Sequence, residues 1–155
     1  MLGSLATGLF LGVSAALLGP GLLQGTSSTE AQAQLPDSYV GVLAGPDGRA
    51  GLIVSSLRHG RVMDVKQTRP LPIEAGHTLF LWALEAGGKA RAIGPVPPGP
   101  FVRVALAAPS EQLFSNAVEL AVSVEPAGAT PVAPRRSYVY RGLCGKLWRV
   151  APSKN

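Results

Sequence analysis

Residues 2–23, LGSLATGLFLGVSAALLGPGLL, contain no charged side chain. No other feature constrains this chain as strongly, because so long an apolar run has to leave water. As a helix its 22 residues would extend about 33 Å, enough to cross a bilayer core of about 30 Å. Residues 1–24 are therefore expected to form one transmembrane helix with membrane lipid around it. Gly8, Gly12 and Ala16 fall four apart and lay a strip of small residues along one face. Such strips let helices approach closely and self-associate, although Gly and Ala are also simply common in membrane helices. Gly19, Pro20 and Gly21 loosen the far end, since Pro lacks a backbone donor and Gly adds freedom. Ala31-Gln32-Ala33 resembles a signal-peptidase site. The run is longer than a signal core and no basic residue precedes it, so an uncleaved single-pass anchor is the favoured reading.

Residues 25–37, GTSSTEAQAQLPD, are small and polar without periodicity, as in an exposed linker. Beyond them come short extended runs punctuated by turn chemistry. Candidate strands cover 38–44, 49–56, 61–68, 77–85, 90–96, 101–107, 118–125 and 137–143. Gly45-Pro46-Asp47-Gly48 suits the first turn, with Pro at its second position. Ala86-Gly87-Gly88-Lys89 suits a second hairpin. The segment VPPGP at 96–100 must break a strand, and PSEQLFS at 109–115 suits one short helical turn opened by Pro109. Residues 77–85 are apolar on both parities, which predicts a central strand or one covered on its second face. In 118–125 the apolar Val118, Leu120, Val122 and Val124 alternate with Glu119, Ala121, Ser123 and Glu125. That pattern predicts a half-buried strand with Glu125 facing outward and Pro126 ending the ladder. Seven to eight short strands with little helix predict an all-β fold, an antiparallel β-sandwich over 38–143, followed by a basic tail, 144–155.

The charge is unevenly placed. Residues 1–134 carry 8 basic and 9 acidic residues, whereas residues 135–155 carry 6 basic residues and no acid. A basic end without any nucleic-acid-binding motif is read as a solvated tail, with no nucleic acid as partner. The first Lys or Arg after the apolar run is Arg49, too far away for positive charge to set the orientation of a helix.

Catalytic signatures are missing. Cys144 is the single cysteine, so neither an internal disulfide nor a multi-cysteine zinc site can form. It sits between glycines in the basic tail, and neither His59 nor His77 has a motif around it that would make a base for a nucleophile. His77 opens a strand and reads as a rim residue. No serine lies in a nucleophile elbow, and neither a phosphate loop nor a dinucleotide fingerprint occurs. Nine carboxylates are scattered along the chain, and a glycosidase-type pair could arise only in three dimensions. The chain is expected not to be an enzyme and to use no cofactor or metal.

Three blocks, YVGVLAGPDGRAGLIV, GHTLFLWALEAGGKARAIGPVP and LAVSVEPAGATP, occur in this order. Together they resemble the extracytoplasmic C-terminal domain of anti-sigma-K factors of the RskA type, from about Tyr39 to Leu143. The most specific pieces are Leu81-Trp82 before a Gly-rich hairpin and the stretch ending in Glu125-Pro126. The resemblance implies an outer sensory domain on a membrane anchor, negatively regulating an extracytoplasmic-function sigma factor through regulated proteolysis of linker and helix. It places the β-domain outside the cytoplasm. Because the sequence starts at the apolar run, contact with the sigma factor is expected only through a missing or separate cytosolic domain. The alternative is a secreted or anchored β-sandwich binding module unrelated to transcription.

Overall fold

The computed structural model describes residues 36–148. The apolar run, with Gly8, Gly12, Ala16, Gly19, Pro20 and Gly21, lies outside them. Eight strands and one helix follow in the order β1 (Ser38–Ala44), β2 (Ala50–Leu57), β3 (Val62–Gln67), β4 (His77–Glu85), β5 (Ala90–Val96), β6 (Phe101–Ala105), α1 (Ser110–Asn116), β7 (Ala117–Pro126) and β8 (Tyr140–Leu147). No helix among the described residues is long and apolar enough to cross a membrane.

The turns form where their residue types allow. Gly48 adopts φ 73° and donates to Gly45 O at 2.9 Å, closing the β1–β2 turn. Gly87 and Gly88 adopt φ 90° and 82°, the paired left-handed conformation that a tight hairpin demands and glycine supplies without steric cost. Pro109 opens α1 without a side-chain cap.

All eight strands belong to one antiparallel sheet, ordered β5-β4-β7-β8-β1-β2-β3-β6. This corrects the two-layer sandwich, since the hydrogen-bonded ladder runs unbroken from β5 to β6. The chain itself shows how the sheet curls. β5 and β6 occupy opposite edges, yet only residues 97–100 join them. So short a connection reaches at most about 18 Å, so the two edges come close and the sheet is nearly a barrel. Pro100 O in this connection accepts from Gln67 N on β3 at 2.9 Å.

The inward residues of each strand fill the barrel. Leu43, Leu52, Val54, Met63, Val65, Leu79, Leu81, Leu120 and Val122 are buried in one cluster, which supplies most of the drive to fold. The helix seals it: Phe114 is buried and stacks on Tyr39 at 5.8 Å between ring centroids. A second, smaller cluster lies outside the barrel wall. It holds Phe80, Trp82, Leu84 and Ala121, with Tyr138 packed against them. β4 is thus covered on both faces, as its double-sided apolar pattern requires.

β8 differs most from expectation. The predicted strand at 137–143 is found at Tyr140–Leu147, so residues 144–147 of the expected tail are strand. The shift follows from Tyr138, which is used outside the barrel. It brings Cys144 into the core, paired opposite Gly41 on β1. β8 lies between β7 and β1 and packs close to β1: a Cβ added at Gly142 would stand 2.1 Å from Val42 O.

Candidate functional site

Residues 127–139 leave β7 at Pro126, cross the outer face of β4 and β7, and return to the sheet as β8. A chain of hydrogen bonds through Glu125 helps fix this strap to the wall beneath it. The register places Trp82 opposite Ala121 and Thr78 opposite Glu125, so Trp82, Ser123 and Glu125 share the outer face. Trp82 Nε1–H donates to Ser123 Oγ at 2.8 Å. Ser123 Oγ–H donates to Glu125 Oε1 at 2.6 Å. The Arg135 backbone N–H donates to that same oxygen at 3.1 Å. Glu125 is 0% exposed, and its Oε2, also buried, makes no hydrogen bond.

The outward parity of Glu125 is correct, but its expected exposure is not. It points away from the barrel core and is nevertheless buried, because the strap lies over it. Pro126 pairs opposite His77 at the last rung of the ladder, and Ala127 N donates to Gly76 O at 2.8 Å as the strap departs. Leu81 faces the barrel interior, fully buried. Ser123, Arg135 and Tyr138 were not singled out from the sequence. Their one legible sign is that Ala121 and Ser123, small residues on the supposed solvent parity, leave room for a covering segment.

Around the strap the wall is polar at one end and grooved at the other. His77 Nε2 lies 3.3 Å from Arg136 Nη2 on the strap, and its Nδ1 lies 3.9 Å from Glu74 Oε2. Two open grooves of about 530 and 510 Å³ flank the strap's return. Both are lined by Tyr138, Val139 and Tyr140, with Gly45 and Pro46 of the β1–β2 turn. Burial pushes the Tyr138 phenol above its ordinary value, against an opposing pull from Arg141. In the second groove Asp47 accepts from Arg69 Nη1 at 3.0 Å, and this guanidinium holds its carboxyl below the usual range.

This arrangement suits holding and shape recognition more than bond-making. Glu125 is sealed from any substrate. Cys144 is buried with its Sγ 3.8 Å from Phe114 O, and desolvation pushes its thiol up, against the pull of Lys146, which disfavours the nucleophilic thiolate. No group of three or more His, Cys, Asp or Glu able to hold a metal occurs among the described residues.

The two sequence blocks of highest specificity, Leu81-Trp82 and the stretch through Glu125-Pro126, therefore meet on adjacent strands in one buried linkage. A family model described as anti-sigma-K factor rskA, C-terminal, matches residues 6–137. The chain belongs to that family. The family is a regulatory one, so its RskA-type domain carries an anti-sigma association. Neither a curated protein nor a solved structure matches the chain. The RskA-type match ends at residue 137, before β8 begins at Tyr140, so the strand between β7 and β1 lies beyond it.

Proposed function

We propose that this RskA-type domain is the sensory part of a membrane-anchored anti-sigma system, held outside the cytoplasm by a single span at residues 1–24. The observation that carries this reading is the extent of the family match. It begins at residue 6, inside the apolar run, and continues through the linker into the β-domain, which supports reading run, linker and domain as parts of one family region. In this reading the system negatively regulates an extracytoplasmic-function sigma factor, and contact with that factor falls to a cytosolic domain of the same system. The signal is passed by proteolysis, first within Thr26–Pro36 of the linker and then near Gly19, Pro20 and Gly21. The grooves beside Tyr138 and the strap pinned by Glu125 are the parts suited to sensing, because both grooves are lined by Tyr138 and Val139 of the strap itself.

Protease shaving of intact cells tests the orientation. The β-domain is expected to be digested or released from outside; a domain fully protected until lysis overturns the reading. N-terminal sequencing of the mature protein gives the second arm. A mature chain beginning at Gln34 overturns the anchor, whereas one retaining the apolar run supports it. Deleting residues 27–34 is expected to abolish the first cut, and an unchanged fragment pattern would remove the linker from the pathway.

A further inference from the structure

We propose that the end of the barrel where β1 begins and β8 finishes is a membrane-contacting surface that rests on anionic lipid headgroups. It builds on the anchored reading above. Ser38 pairs with Leu57 on one side and with Leu147 on the other, and cross-strand partners share a face. The two leucines therefore flank Ser38 on the outside of the wall, 62% and 52% exposed, and Trp148, next after Leu147 in the chain, is 50% exposed. Large apolar side chains gathered at one surface mark a contact. Leucine and tryptophan set among Lys and Arg are the composition that a membrane interface selects.

Basic residues outnumber acidic ones around this patch, with Arg58, Arg61 and Lys146 against Asp37 and Glu111. Glu111 engages Arg58 at 3.5 Å. Arg61 and Lys146 add to the same end, and no acidic residue follows Glu125 in the sequence. The loop carrying Arg58 and Arg61 is also strained. His59 and Arg61 adopt φ 65° and 49°, a left-handed conformation unfavourable for non-glycine residues, while Gly60 between them does not. Strain kept where a glycine could have relieved it points to a loop held for use.

The covalent path of the chain selects lipid as the occupant. Asp37 N donates to Leu147 O at 2.8 Å and Asp37 O accepts from Arg58 N at 2.9 Å, so the chain enters the domain at this patch. The uncharged run ends at residue 23, and the 12 residues 24–35 that separate the two reach at most about 40 Å. This end is therefore the one from which the chain leads back to the uncharged run.

The chain contains two tryptophans, and Trp82 is fully buried, so Trp148 alone can report on lipid. The test reconstitutes the full chain into phosphatidylcholine–phosphatidylglycerol vesicles with bromine placed high on the acyl chains. The expected result is co-flotation with loss of the Trp148 emission, a loss absent in Trp148→Phe and in vesicles without bromine. The Leu57→Ser/Leu147→Ser double variant, altered only at exposed positions, should still float and lose the quenching. Flotation without quenching in the wild-type chain overturns the proposal and leaves the anchor standing. Failure to float overturns both. A blue shift that grows with protein density, without quenching, assigns the surface to a second copy and also overturns the proposal.

Discussion

Glu125 Oε1 accepts from Ser123 Oγ and from the Arg135 backbone, whereas Oε2 accepts from nothing. A buried donor left without its acceptor costs about 1–3 kcal/mol, so Glu125→Ala, which strands two donors, should destabilise the domain by about 2 kcal/mol or more. Glu125→Gln keeps an oxygen for both and should cost less. Chemical denaturation measures the difference. Amide exchange at Arg135, accelerated in the alanine variant while β1 and β2 stay protected, would locate the loss in the strap. Alternation in 118–125 was enough to place Glu125 on the outer parity and Leu120 and Val122 in the barrel. It could not reveal the burial, because the cover comes from residues 127–139, which have no periodicity of their own.

Among the elements, β1, β4 and β5 lie where turn chemistry and apolar runs predict them, with β4 and β5 bounded as expected to the residue. Their limits were legible because Gly or Pro marks both flanks. β8 was displaced because Tyr138 and Tyr140 are both aromatic and β-favouring, and only the packing assigns the first to the outer wall and the second to the barrel. β6 is one edge of the sheet, and its hold on β3 includes a fork between Arg103 and Asp64, at 2.6 and 2.8 Å. The Arg103 hydrogen bonds lower the Asp64 carboxyl from its ordinary value. A lowered carboxyl contributes stability that is complete above the unfolded value, about 3.9, and is lost as pH falls through the folded one. Urea midpoints should therefore decline below about pH 4, and Asp64→Asn should flatten part of that decline. At pH 7 the substitution should cost only about 0.5 kcal/mol, the ordinary worth of an exposed pair. An Asp64→Asn chain with an undiminished acid slope would remove the pair from the account.

At the scale of the molecule, sandwich and near-barrel share the same strand count and the same alternation, so sequence alone could not separate them. What separates them is the short connection across 97–100, which ties one edge of the sheet to the other. Pairing partners distant in sequence, such as β1 with β8, appear in no local pattern. That pairing also makes a prediction. A chain ending at residue 139 lacks the strand that lies between β7 and β1, and it should lose the cooperative unfolding transition of the full chain in circular dichroism. A cooperative transition of unchanged midpoint would show that the two flanking sets of strands hold without it. Ribosomes build a protein from its first residue to its last, and here the strand at the middle of the sheet is the last made of the eight described. Until Tyr140–Leu147 has emerged, the growing chain can hold only two separate half-sheets, each with an open edge. The finished domain thus certifies that translation passed Leu147, and a chain interrupted before Tyr140 is left open to quality-control proteases.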